Sequence, residues 1–181
     1  VLDTHPASNV VLSVTSADTG EATASPAQLT FTPSNWNTAQ TVTVTGIDDN
    51  LSDGNQITTV TVSVVDASSD NAFDPLADQT VAVTTSDDDS PGISATESGG
   101  STGTTEAGST DTFTVVLNTQ PSSDVVVSVA SSDTGEVTVI PAQLTFTSSN
   151  WNSPQTVTTT GINDTTVDGS QNATLTLAVV D

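Results

Sequence analysis

No lysine and no arginine occur anywhere in the 181 residues, while aspartate and glutamate together number 22, for a formal net charge of −22. Apart from His5 and the amino terminus, no acidic group can meet a cation of its own chain. Such a chain repels itself, and its compact state calls for counter-ions or bound metal. The same lack excludes nucleic acid as a partner, because phosphate recognition rests on Lys and Arg, and it excludes adhesion to anionic membranes. Cysteine is absent too, so no disulfide braces the fold and thiols say nothing of the redox compartment. No apolar run approaches the roughly 18 residues of a membrane span. An export signal is therefore expected elsewhere, in a longer protein.

Aromatic residues are few, two Trp and four Phe with no Tyr. Acidity with few aromatics can mean disorder. Against that, Val, Ile and Leu alternate with Thr and Ser, which is the pattern of strands with one buried and one wet face. Val10, Leu12 and Val14 alternate with Val11, Ser13 and Thr15; Leu29 and Phe31 with Thr30 and Thr32; Val42 and Val44 with Thr41, Thr43 and Thr45; and Val60, Val62 and Val64 with Thr61 and Ser63. Further strands are expected at Gln79–Thr85, Ile93–Glu97 and Thr112–Leu117, with a flexible Gly/Ser/Thr segment at 98–105. Prolines fall between these runs, and no run has helical spacing.

Val1–Asp66 lies on Val116–Asp181 without a gap, a displacement of 116 − 1 = 115 residues, with about two positions in three identical. A period of that length suits a whole immunoglobulin-sized sandwich of about seven strands. The expected units are residues 1–89, lacking strands at its start, and 90–181, lacking its closing strand, with the boundary at Asp87-Asp88-Asp89-Ser90-Pro91-Gly92. The phase of the repeat makes a piece of a longer array the expected context.

The acids cluster in loops: Asp18 after one strand, Asp48, Asp49 and Asp53 after another, and Asp87, Asp88 and Asp89 after the last. Converging carboxylates with no basic neighbour suit a hard cation, and calcium takes 6–8 oxygen ligands from flexible loops of this kind. The bland alternative is solvated turn aspartates. Neither the EF-hand spacing nor the calcium nonapeptide spacing fits. Trp36 and Trp151 share a repeat position, where packing is favoured over a sugar-stacking platform. His5 corresponds to Gln120 and is expected at the surface. With no Cys or Lys nucleophile, no Ser-His-Asp set common to both copies and no aromatic cleft beside the acids, an enzyme is not expected.

The segments Leu29-Thr30-Phe31-Thr32, Asn35-Trp36-Asn37, Gln40–Gly46, Asp48-Asp49, Asp53-Gly54 and Asp87–Asp89, with Thr105–Gly108 and Leu144–Gly169 in the second copy, resemble the Calx-β superfamily. The likeness is to its tandem repeats in large bacterial surface and secreted proteins. It implies a seven-stranded sandwich holding calcium at one end. Carried over, the ligands fall on Asp18, Asp48, Asp49, Asp53, Asp87, Asp88 and Asp89 in the first unit. In the second they fall on Glu106 (Glu97 being the weaker choice), Asp133, Asp164 and Asp168. Asn163 stands where the first unit has Asp48, so the second site is expected to be weaker. The function implied is a non-catalytic, calcium-stiffened extender or adhesive rod at a cell surface, with neighbouring repeats as partners. The rivals are a self-assembling filament or surface-layer subunit and a carbohydrate-binding module.

Overall fold

Residues 1–167 and 169–180 are described by a computed structural model. Among them there is no α-helix, only strands and two three-residue 3-10 turns, Asp66–Ser68 and Ser98–Gly100. The chain forms two units, Val1–Asp49 with Asp53–Asp87, and Asn50–Ser52 with Asp88–Asp181.

The first unit contains β1 (Val10–Ser16), β2 (Ala22–Ser25), β3 (Gln28–Phe31), β4 (Thr43–Gly46), β5 (Gln56–Val64) and β6 (Gln79–Thr85). An antiparallel sheet runs β3-β1-β5-β6, and β2 pairs with β4. The register sets Val10 opposite Phe31 and Val14 opposite Val62, so the apolar members of the alternation share one face. Val10, Val14, Leu29, Phe31 and Val60 are buried there together with Phe73, and Ala24 and Val42 pack against them. Phe73 comes from the loop between β5 and β6, where the sequence shows no alternation.

The second unit contains β7 (Ile93–Glu97), β8 (Thr110–Leu117), β9 (Val125–Ser131), β10 (Val137–Ile140), β11 (Gln143–Phe146), β12 (Gln155–Gly161) and β13 (Leu175–Val180). One antiparallel sheet has the order β10-β12-β8-β7, the other β11-β9-β13. Phe113, Val115, Leu117 and Val157 from the first meet Val127, Val129, Leu144 and Phe146 from the second in one core. The expected all-β antiparallel sandwich is the architecture found. Asn50–Ser52 belongs to this unit: Asn50 carbonyl accepts from the Gln120 amide at 2.8 Å, Leu51 makes a parallel bridge with Gln120, and Ser52 Oγ donates to the Asp89 carbonyl at 3.3 Å.

The repeated polar residues have local, structural work. Asn35 Oδ1 accepts from the Thr32 amide and Asn150 Oδ1 from the Thr147 amide, both at 2.6 Å. Gln40 and Gln155 donate to the carbonyls of Thr30 and Thr145, both at 2.8 Å. These bonds close the turn after β3 and after β11 in the same way, which accounts for the constancy of the first Asn of Asn-Trp-Asn and of the Gln between copies. Trp151 packs against the second core. Trp36 is met edge-on by the exposed His5, with ring centroids 5.9 Å apart at 67°.

The Gly/Ser/Thr segment expected to be flexible is tied down. Asp111 on β8 accepts from the Ser98 hydroxyl and, at 2.8 Å, from the Gly103 amide. These bonds, the Ser98 hydroxyl first and then the Gly103 and Thr112 amides, hold the Asp111 carboxyl below the ordinary aspartate range. Asp70 does similar work in the first unit. The amides of Ala72, Ala7 and Ser8 donate to it and hold its carboxyl low, at 3.1, 2.6 and 3.2 Å respectively.

Candidate metal centre

Acids in the first unit reach one another through three loops. Asp18 sits in the turn between β1 and β2, and its conformation is fixed by that turn. Its Oδ1 accepts from the Gly20 amide at 2.9 Å, its carbonyl from the Ala22 amide at 3.1 Å, and its own amide donates to Thr58 Oγ1 at 3.0 Å. Glu21 follows, held by its backbone: its carbonyl accepts from the Ile47 amide at 2.8 Å and from Thr85 Oγ1 at 3.0 Å. The start of β2, the end of β4 and the end of β6 are thereby drawn to one place. Asp48 and Asp49 follow β4 after Ile47 and are exposed.

The third loop is closed by Gly54, whose φ of +80° lies where L side chains are strained. This conformation accompanies donation by the Gly54 amide to Asp87 Oδ2 at 2.7 Å. The Asp87 amide donates in turn to Asn55 Oδ1 at 3.1 Å. The loop carrying Asp53 is so joined to the strand end carrying Asp87. Asp88 and Asp89 fall with the second unit.

Glu21 is the residue that the loop clusters in the sequence did not single out. Partial desolvation, and then the charges of Asp53, Asp18 and Asp49, push its carboxyl above the ordinary glutamate range. One signal could have found it: Asp-Thr-Gly-Glu stands in both copies, as Asp18–Glu21 and Asp133–Glu136. In the second unit Asp133 repeats the turn of Asp18, accepting from the Gly135 amide at 2.9 Å. Glu136 and Glu106 line one open pocket of about 640 Å³ with Thr166, Val167 and Gly169. Glu97 instead ends β7 beside a different cavity. Asp164 Oδ1 caps its own turn through the Thr166 amide at 2.7 Å. Asp168 lies outside the described residues.

The sign of the Glu21 shift fixes a pH dependence. A carboxyl raised in the folded state contributes stability that is complete below its unfolded pKa and is lost as pH rises through its folded pKa. In the presence of chelator, the first unit is therefore expected to melt higher as pH falls from neutral into the ordinary glutamate range. Glu21→Gln should flatten that limb and raise the melting temperature at neutral pH. Asp70 has the opposite sign: its contribution is present above the ordinary aspartate pKa and lost as pH falls through its depressed value. Stability should turn down again at still lower pH. Melting curves of both proteins from neutral pH down through the ordinary carboxylate range, about pH 4, provide the check, and a wild-type curve without the rise would contradict the grouping around Glu21.

No protein-family model matches the chain, and no curated protein matches it. Among solved structures, the crystal structure of dimeric latent PorU from Porphyromonas gingivalis is similar at 14% identity and a TM-score of 0.26. The alignment covers 96% of this chain and 16% of that one. A likeness of that size carries no argument about fold or function.

Proposed function

We propose that this chain is a non-catalytic repeat region of an extracellular protein, of the Calx-β type, whose acidic loops bind calcium and whose units act as spacers beside further repeats. The observation that carries the reading is the electrostatic one: the Glu21 carboxyl is raised by partial desolvation and then by the charges of Asp53, Asp18 and Asp49, in a chain that has no Lys or Arg to relieve them. The donor chemistry fits the ion. These are hard carboxylate oxygens on loops, and the loops also offer backbone carbonyls. Calcium accepts such mixed, flexible sets, whereas magnesium demands near-ideal octahedral geometry. Asp18, Glu21, Asp48, Asp49 and Asp53 would hold it in the first unit, with Asp87 fixing the Asp53 loop. Glu106, Glu136 and Asp164 are the counterparts proposed for the second.

The turn bonds of Asp18, Asp133 and Asp164 support a structural share as well, since each spends one oxygen on its own loop. The proposal thus places the binding energy mainly on Glu21, Asp48, Asp49 and Asp53. Thermal melts with calcium, with magnesium and with chelator test it. At calcium about tenfold above its Kd the first unit should gain about 1.4 kcal/mol. The second unit should gain less, because Asn163 stands where the first has Asp48. Glu21→Gln should weaken calcium binding measured by calorimetry. Equal melts in calcium and chelator would remove the metal from this reading.

A further inference from the structure

The loop between β5 and β6 takes no part in the acidic sites, yet it is firmly held. Phe73 is buried in the first core. Its amide donates to the Asp70 carbonyl at 2.8 Å, and the Leu76 amide donates to the Phe73 carbonyl at 3.1 Å. Asp70 Oδ1 accepts from the Ala72 amide at 3.1 Å. Between Phe73 and Leu76 stand Asp74 and Pro75, the one Asp-Pro pair in the sequence. Among the described residues, Asp74 Oδ1 is the buried side-chain oxygen that meets no hydrogen-bond donor. A buried carboxyl oxygen without a donor forgoes its hydration and gains nothing in exchange, and native structures keep few such atoms. Asp74 as a whole is half-buried and Pro75 is exposed, so the carboxyl is sheltered while water reaches the proline side.

We propose that Asp74-Pro75 is a self-cleavage site, at which the Asp74 carboxyl cuts the peptide bond that follows it. Asp74 Oδ1 attacks the carbonyl carbon of its own residue and closes a five-membered cyclic anhydride. The C–N bond to Pro75 breaks, its electron pair goes to the proline nitrogen, and the proton of the Asp74 carboxyl follows it there. One water then opens the anhydride, leaving Asp74 with two carboxyls and Pro75 with a free secondary amine. Three features favour the step. Attacking and attacked atoms belong to one residue, so the fold has only to hold a rotamer. The leaving nitrogen carries no N–H, so its departure breaks no hydrogen bond. Asp74 Oδ1 has already shed the water that an unfolded chain must strip away before attack. After the cut β6 stays in place, because seven residue pairs join it to β5, from Gln56 with Thr85 to Val62 with Gln79, and Val83 packs onto the core. The product is a nicked unit, with β1 to β5 held to β6 by a ladder instead of a peptide bond. Each chain cuts itself once, so the step turns over no substrate, and it does not depend on calcium.

The test is incubation of the full chain in chelator at about pH 4, in the ordinary aspartate range, both native and unfolded in urea, followed by intact mass measurement. Fragments 1–74 and 75–181 are expected, and the native chain should yield them about tenfold faster than the unfolded one, well within what fixed geometry supplies. The fragments should co-elute on gel filtration in native buffer and separate in urea. Asp74→Glu, whose longer side chain would have to close a six-membered ring, should slow the cut by about tenfold, with a melting curve to show that the unit is folded. An uncut native chain would overturn the proposal, since Asp74 Oδ1 would then hold no more than a water. Cleavage as fast in urea as in native buffer would overturn it too, by reducing the cut to the general lability of Asp-Pro bonds. So would a rate unmoved by Asp74→Glu, or fragments that part without denaturant. The native-to-unfolded ratio of the wild-type chain decides the matter even where the variant fails to fold. Because calcium is absent throughout, failure of the metal reading leaves this result unaffected.

Discussion

Phe146→Ala is expected to destabilise the second unit by about 3–5 kcal/mol, the usual cost of removing a fully buried phenylalanine. Phe146 is 0% exposed, and it lies in the core where residues of β8 and β12 meet those of β9 and β11. Its ring is opposite Val125 in the β9–β11 ladder, and neither strand can close over the space that it would leave without breaking that register. Phe31, its counterpart in the first unit, is 1% exposed. Phe31→Ala should fall at the lower end of the range, because one wall of that core is only the β2–β4 pair, which can settle inward. The two units can be read separately by denaturant unfolding, with Trp36→Phe leaving Trp151 to report the second and Trp151→Phe leaving Trp36 to report the first. A loss below about 1 kcal/mol for Phe146→Ala would mean a core far looser than protein interiors are.

Gly161→Ala should be the next most damaging of these changes, at about 1–3 kcal/mol. A Cβ at Gly161 would lie 2.2 Å from the Thr105 carbonyl oxygen and 2.9 Å from its carbon. Both are backbone atoms, so relief requires moving either the end of β12 or the Thr105–Gly108 turn. That turn carries Glu106, which lines the pocket shared with Glu136, so stability and any metal affinity of the second unit should fall together. Gly46 holds the matching position in the first unit, yet the nearest atom there is Thr85 Cγ2 at 3.2 Å, a side-chain methyl that can yield. Gly46→Ala should stay within about 0.5 kcal/mol. Parallel melts of the two variants, with calcium titrations of each, make the check. Equal losses at both positions would contradict the close approach at Thr105.

The strands themselves were largely legible. Alternation of Val with Thr marked β1, β5 and β6, because burial on one face alone selects a period of two. β2, Ala-Thr-Ala-Ser, and β10 were not legible: each has four residues, too few for a period to stand out. Of the candidate site, the loop aspartates stood out because they are consecutive or nearly so. Glu21 did not, since what raises it is partial desolvation in the fold and then the approach of Asp53, Asp18 and Asp49. Asp111 read as one more acid, and its role comes from hydroxyl and amide donors as far back as Ser98.

Sequence by itself determined the charge, the repeat, the strand periodicity and the exclusion of cationic chemistry. Tertiary structure decided where strands begin and which acids meet. The tripeptide Gln-Thr-Val shows the division. At Gln155-Thr156-Val157 it lies in β12, paired with Val115, Thr114 and Phe113 of β8, and Val157 is fully buried. At Gln40-Thr41-Val42 the same three residues lie outside any strand, and Val42 is only half-buried. Their side-chain pattern is identical. The difference is a neighbour: β8 supplies the amides and carbonyls of a ladder and a wall for the valine, and in the first unit, among the described residues, no strand does so. A strand's backbone groups are satisfied by another strand, so periodicity can name the candidates, but only the partner makes them a sheet.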